Sequence, residues 1–416
     1  MKVQALLQAN SERLKALYGG EIPLARYESL AEIFRGKFGR EPEAFVSAPG
    51  RTEVIGNHTD HNLGRVLAGA VNLDTLSCVA AREDMRVILY SEGYEAPFEL
   101  DLEDLEVRAE ERETTYALIR GVAARLSQLG YRIGGFEACV TSTVFKGSGL
   151  SSSAAFEVLV VAIFDSLFNG WTIDPKLNAR ISQYAENVYF GKPSGLMDQM
   201  ASAVGGLVMI DFLPKEAEVE AVKYDFAKKG YVLCVVTAGG DHGDLTAEYA
   251  AMPIEMKAVA RALGREVLAE VTEEELLEAL PRLKNAVPDR AILRAFHFVD
   301  ETRRTVQAVE ALKRDDLQAF LAVEKASGES SWKLLQNLYV PGRDNQEIPL
   351  ALEMSRRILG EKGAWRMHGG GFAGTILAFV PISMFEQYRE RMDSVFGAGA
   401  TVPLSIRPEG AVCIRE

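Results

Sequence analysis

Cysteine is scarce in this chain of 416 residues, and the four present, Cys78, Cys139, Cys234 and Cys413, are far apart, lie in or beside apolar runs and form no CxxC pair. That excludes a disulfide-stapled scaffold and a cysteine-rich zinc module, and predicts reduced core thiols in a cytoplasmic protein. Positive charge is also short. Lys and Arg total 46 against 59 Asp and Glu, a net charge of -13, so the clustered cations that nucleic acid or an anionic membrane requires are missing. No apolar run reaches the ~20 residues of a membrane span. The start, Met1-Lys-Val-Gln-Ala-Leu-Leu-Gln, is soon interrupted by Asn10, Ser11, Glu12 and Arg13, so no secretory signal is expected.

The remaining composition is that of a folded globular protein, 48% hydrophobic and 25% charged, and the length predicts two domains, with a division expected near residue 205 after Ala203-Val-Gly-Gly206. Residues 1–38 carry leucines at helical spacing and predict two amphipathic packing helices. A strand over 43–49 is expected to run into a polar loop, Gly50 to Asn62, that contains Arg51, Glu53, Asn57, His58, Asp60 and His61. The group His58-x-Asp60-His61 offers metal-ligand types, but no carboxylate or cysteine cluster at zinc-like spacing completes it. Hydrogen bonding to a polar substrate, or satisfaction of a turn, competes with that.

Short apolar runs from Val66 to Leu102 predict a sheet, followed by a helix over 115–129 and a strand over 134–142. Next comes the stretch Val144-Phe-Lys-Gly-Ser-Gly-Leu-Ser-Ser-Ser-Ala-Ala155. Gly147 and Gly149 leave a backbone arc free of side chains, and Ser148, Leu150, Ser151, Ser152 and Ser153 lead into an apolar helix. A helix start presents unpaired N–H groups and a positive dipole end, which suits phosphate. Serine is equally a preferred N-cap, so an ordinary capped turn is the plainer alternative. No Gly-Lys-Ser/Thr follows, so this is not a Walker loop.

Further along, a second helix is expected to carry Glu186, and Gly191-Lys-Pro-Ser-Gly-Leu-Met-Asp-Gln-Met200 restarts the chain with Ser194 as a cap and Asp198 in the next helical turn. An acid there complements the helix dipole or belongs to a site. Helices dominate from about 246 to 360. Near the end, Gly369 to Gly374 matches G-x-G-x-x-G, but a strand follows it, which argues against a dinucleotide fingerprint.

Three segments, Ala48-Pro-Gly-Arg-Thr-Glu-Val-Ile-Gly-Asn-His-Thr-Asp60, Gly147-Ser-Gly-Leu-Ser-Ser-Ser-Ala-Ala155 and Gly369-Gly-Gly-Phe-Ala-Gly374, resemble the three motifs of the GHMP small-molecule kinases in order and spacing. The segment Gly191 to Gln199 is similar to the Gly-x-Pro-x-Gly-x-Met-Asp-Gln of the galactokinase branch. The resemblance implies an α+β, two-lobed fold with mixed sheets and packed helices, an active site between the lobes, and units 1–205 and 206–416. It implies an enzyme that uses ATP and Mg²⁺ to phosphorylate the anomeric C1 hydroxyl of galactose, with no nucleic acid or membrane partner. Residue by residue, it implies that Gly147 to Ser153 hold the ATP phosphates and that Ser153 and Glu186 hold the metal. It makes Asp198 the base and Arg51 the cation that steadies it. Asn57, His58, Asp60, His61 and Tyr249 would line the sugar pocket, and Gly369, Gly370 and Gly371 would close the third-motif loop.

The chain departs from the branch where Gly-Glu-His-Thr-Asp-Tyr becomes Gly56-Asn-His-Thr-Asp-His61. His368 also replaces a usual threonine. A glutamate facing a galacturonate carboxylate at ~4 Å would be repelled by roughly 4 kcal/mol. Asn57 lifts that repulsion and His61 could donate to, or pair with, a carboxylate, so galacturonate is a rival substrate, and a non-catalytic sugar sensor is a further alternative.

Overall fold

The computed structural model describes residues 3–145, 149–239, 245–372 and 374–415. Its strands are β1 (Ala44–Ile55), β2 (Arg65–Ala81), β3 (Arg86–Ser91), β4 (Phe98–Asp101), β5 (Phe136–Ser142), β6 (Leu207–Asp211), β7 (Glu218–Val222), β8 (Tyr231–Gly239), β9 (Ala364–His368), β10 (Gly374–Pro381), β11 (Thr401–Leu404) and β12 (Val412–Ile414). One sheet runs β12-β1-β2-β5-β3-β4, with β6 added to β2 and β7 to β6; the other runs β11-β8-β10-β9. All pairings are antiparallel except that of β3 with β5.

Strand β1 is longer than the sequence suggests because Pro49-Gly50, a turn signal, is absorbed at a register shift between Pro49 and Arg51. Proline is tolerated at such an irregularity because no ladder bond is asked of it. Arg51 and Glu53 therefore stand on a buried strand instead of a loop. The expected boundary at 205/206 does not separate the sheets: β6, β7 and β12 all complete the first one, and the chain crosses to the second after Val222.

Three helices, Val3–Ala9, Ser11–Tyr18 and Leu24–Phe38, form where two were expected, and they pack on one face of the first sheet against Phe45, Leu76, Cys78 and Cys139. The other face is covered by the helices Thr115–Gln128, Ser152–Phe164, Pro175–Tyr184 and Met197–Val204. Helix Ser152–Phe164 continues as a π turn to Asn169, and Ser152–Asn169 is long and apolar enough to cross a bilayer by composition alone. Its buried face, from Ala154 to Phe164, instead supplies the centre of the core. Helices Asp289–Lys313 and Leu317–Ser330 fill the space between the two sheets, and Glu347–Leu359 and Ile382–Phe396 cover the outer face of the second. The described cysteines are all free, three of them buried.

Candidate active site

Arg51 on β1 and Asp198 in the first turn of helix Met197–Val204 are 147 positions apart and meet as a two-pronged ion pair. Nε donates to Oδ1 and Nη2 to Oδ2, both at 2.7 Å. The remaining Nη1 donates to the carbonyl of Gly149, and the Arg51 backbone N–H donates to the carbonyl of Leu150 at 2.9 Å. The first and second motifs are thus fastened together by one residue. The approach needs glycine: a Cβ on Gly149, whose φ is +70°, would stand 2.6 Å from Thr375 Oγ1 and 2.7 Å from His368 Nδ1. Gly147 and Ser148 lie outside the described residues.

Burial pushes the Asp198 carboxyl up, but the charge and hydrogen bonds of Arg51, with Ser151 and Lys192, outweigh it and hold the group below the usual carboxylate range. The carboxylate stays ionised and, at 30% side-chain exposure against 7% for Arg51, keeps an open edge. Ser151 precedes the helix with φ +58° and caps nothing with its side chain; its hydroxyl instead serves Asp198. Left-handed backbone is uncommon outside glycine and costs energy that the surroundings must supply. Ser194 is no cap either, since its N–H and hydroxyl both go to Asn187 Oδ1.

Glu186 lies in a π turn, Ala185–Phe190, that ends the helix before it. Its Oε1 faces Ser153 Oγ at 3.4 Å and Lys192 Nζ at 3.3 Å. Its Oε2 accepts from Gln199 Nε2 at 2.8 Å, and the same nitrogen donates to Glu157 Oε2 at 3.0 Å. Burial, reinforced by the negative charge of Glu186, drives the Glu157 carboxyl well above its ordinary range. Glu157 Oε1 and Gln199 Oε1 are buried and have no hydrogen-bond partner among the described residues. Neither Glu157 nor Gln199 was given a role from sequence; the signal for Glu157 is an acid inside an apolar helical run, and that for Gln199 its place at the end of the Met-Asp-Gln segment.

On the other side of Asp198, Asp60 and His61 form a short 3-10 turn, Asp60–Asn62, preceded by His58 at φ +57°. Burial raises the Asp60 carboxyl and the charge of Asp198 adds to it, with His58 opposing. A Cβ on Gly195 would collide with Asp60 Oδ2, so the turn before Asp198 lies directly on Asp60. His58 Nε2 is 3.0 Å from the carbonyl of Gly370 and its Nδ1 is 3.1 Å from His61 Nε2. A carbonyl only accepts, so His58 carries its proton on Nε2, and His61 Nε2–H donates to His58 Nδ1. Burial, with the neighbouring ring, lowers His58 to about 4, and burial, with Lys257, lowers His61 to about 4, so both rings are neutral. Both His58 nitrogens and His61 Nε2 are so engaged, His61 Nδ1 is buried with no hydrogen-bond partner among the described residues, and no cluster of three His, Cys, Asp or Glu groups that could hold a metal exists among them.

Asn57 does not join this pocket. It is fully buried, donating to Glu53 Oε1 at 2.9 Å and to the Gly369 carbonyl at 2.8 Å, and accepting from Asn337 Nδ2 at 3.0 Å. The expectation that it lines the sugar site is corrected: β1 ends at Ile55, and the tight turn after it sends the Asn57 amide inward. Tyr249 donates to the Gly371 carbonyl at 2.8 Å and stacks edge-on against Phe372, so it braces the third-motif loop. Gly370 and Gly371 lie where a Cβ would press on Tyr249 and Asn337. His368, unremarkable in sequence beyond its departure from threonine, accepts from the Glu53 N–H at 3.3 Å and lies 3.1 Å from both Thr52 Oγ1 and Thr375 Oγ1. It therefore fastens β9 and β10 to β1.

A glycine–serine loop at a helix start, a buried acid beside serine, and an ionised aspartate clamped by arginine define the class as a GHMP-type small-molecule kinase. Models of known families agree: residues 32–81 match the galactokinase galactose-binding signature and residues 117–206 the GHMP kinase N-terminal domain. The chain is 32% identical over 378 residues to a galactokinase of Streptomyces coelicolor, covering 89% of this chain and 93% of that protein. The structure superposes on Lactococcus lactis galactokinase complexed with galactose with a TM-score of 0.81 and 26% identity, covering 92% of this chain and 99% of that one. Methanococcus jannaschii mevalonate kinase shares the fold at a TM-score of 0.61 and 14% identity, covering 91% and 99%. The chain belongs to the galactokinase family.

Proposed function

We propose that this enzyme transfers the γ-phosphoryl group of ATP to the C1 hydroxyl of galactose, with Asp198 as the proton acceptor. The observation that carries the assignment is the Arg51–Asp198 clamp, set between the second-motif helix and the His58–Asp60 turn. Phosphoryl transfer asks for alignment and charge stabilisation more than for covalent work. A sugar hydroxyl becomes a competent nucleophile as its proton passes to a carboxylate within hydrogen-bond reach. Arg51 keeps that carboxylate ionised and fixes its plane. On this reading Asp60 and His58 would receive hydroxyls of the sugar, and Ser151 to Ser153, with Gly149 and Leu150, would hold the nucleotide phosphates.

Ser153 and Glu186 supply hard oxygen donors of the kind Mg²⁺ takes, in the sparse number suited to an ion that keeps phosphate and water ligands. Such an ion would neutralise charge on the phosphates; the positioning of sugar and proton acceptor belongs to Asp60, Arg51 and Asp198. The inward turn of Asn57, with the donation of the His61 Nε2–H to His58, leaves neither side chain offered to a sugar carboxylate, which speaks against galacturonate. Incubation with ATP and galactose, galacturonate or N-acetylgalactosamine, with product analysis by phosphorus and proton NMR, tests the assignment. Galactose 1-phosphate is the expected main product, and no phosphorylation of galactose would reject it.

A further inference from the structure

The turn from Gly191 to Gly195 joins the segment that carries Glu186 to the helix that carries Asp198, and Lys192 is the first side chain of that turn. Its backbone N–H donates to the Glu186 carbonyl at 3.1 Å, which anchors the residue beside the site. Its Nζ lies 3.3 Å from Glu186 Oε1, the oxygen that also faces Ser153. The partners differ sharply in environment: Glu186 is 4% exposed and the Lys192 side chain 62%. The exposed ammonium thus rests beside a buried carboxylate, Glu186, which Gln199 links to the helix that carries the ionised Asp198.

Arg51 cannot balance those acids alone, because Asp198 takes two of its donors and the Gly149 carbonyl a third. A polyphosphate entering here would meet a surplus of negative charge. Lysine is a compact cation on a flexible stem, able to exchange one anionic partner for another without moving its backbone. We propose that Lys192 is a phosphate-binding residue, parked on Glu186 in the free protein and turned onto the phosphate oxygens of ATP when the nucleotide enters. The inference rests on the kinase assignment above and adds a residue that the sequence motifs did not single out.

A purely supporting role, in which Lys192 only neutralises Glu186, is separable by experiment. Metal-free ATP, in chelator, is titrated calorimetrically into the parent protein, Lys192→Met, Lys192→Arg, Glu186→Gln and the double variant Glu186→Gln/Lys192→Met. Loss of one charge-assisted phosphate contact is expected to weaken binding about tenfold in Lys192→Met, with Lys192→Arg recovering most of it. The same weakening is expected when Lys192→Met is made in the Glu186→Gln background, where there is no Glu186 charge to neutralise. Unchanged affinity in Lys192→Met, or an effect that vanishes in that background, overturns the proposal. A parent that phosphorylates galactose while Lys192→Met binds ATP as the parent does sinks this inference alone; a parent that neither binds ATP nor phosphorylates any sugar sinks the kinase assignment with it.

Discussion

Asp198 receives both prongs of the Arg51 guanidinium at 2.7 Å, yet leaves an edge of its carboxylate open to solvent. The amide in Asp198→Asn keeps the shape and loses the proton acceptor, so kcat is expected to fall by about 10²–10⁴. ATP affinity should stay within a few-fold of the parent. Steady-state kinetics and calorimetry on the same preparation check both halves.

Arg51→Lys removes the fork and with it much of what holds Asp198 ionised. The base works only when deprotonated, and its range in the parent is depressed, so the parent's activity should persist into mildly acidic buffer. In Arg51→Lys the acid limb of kcat/KM should move to higher pH, because the carboxyl is then more easily protonated. A pH profile whose acid limb does not move would show that the guanidinium does not set this charge.

Gly195→Ala places a methyl group against the Asp60 carboxylate, which must shift. A displacement of that order in a positioning residue costs up to about 10²-fold. The loss is expected in KM for galactose, while KM for ATP moves little. Equal losses for both substrates would place Asp60 outside the sugar pocket.

Arg366 donates from Nη2 to Glu53 Oε1 at 3.0 Å, with the side chains 1% and 4% exposed. Breaking a buried pair from one side strands the other charge and typically costs about 3–5 kcal/mol. Arg366→Met should therefore lower the denaturant midpoint strongly, whereas Glu53→Gln/Arg366→Met should recover part of the loss. Equilibrium unfolding in urea measures the difference.

The two neutral histidines carry a pH signature of stability. Their folded values, about 4, lie below the ~6.5 of an unfolded chain. Below pH ~6.5 the unfolded state takes up protons that the folded state refuses, so this contribution is present above that value and drains away as pH falls toward 4. Melting temperature should decline over that window, and His61→Asn should flatten the decline.

Regular elements were legible wherever a single periodicity dominated. The apolar runs over 115–129 and 134–142 marked the helix Thr115–Gln128 and strand β5. Arg51, Glu186 and Asp198 were given site roles by the resemblance of their segments to the GHMP kinase motifs, since local pattern left Asp198 equally readable as a helix-dipole complement. What eluded sequence was orientation. Pro49-Gly50 signals a turn, yet a register shift carries β1 through it. Nothing local tells that Asn57 turns inward while His58, next to it, turns out, since that depends on the positive φ of His58 and on Asn337, distant in the chain. The π turn at Glu186 likewise depends on its neighbours in space.

Strand β12 pairs Phe45 to Ser47 with Ile414 to Val412, so it lies alongside the very strand that bears Arg51. During synthesis, that flank of β1 stays bare until Val412 to Ile414 have left the ribosome. The sheet that bears Arg51 therefore closes only after that distant stretch has been made, and deleting Val412 to Ile414 would be felt along the strand that holds the arginine.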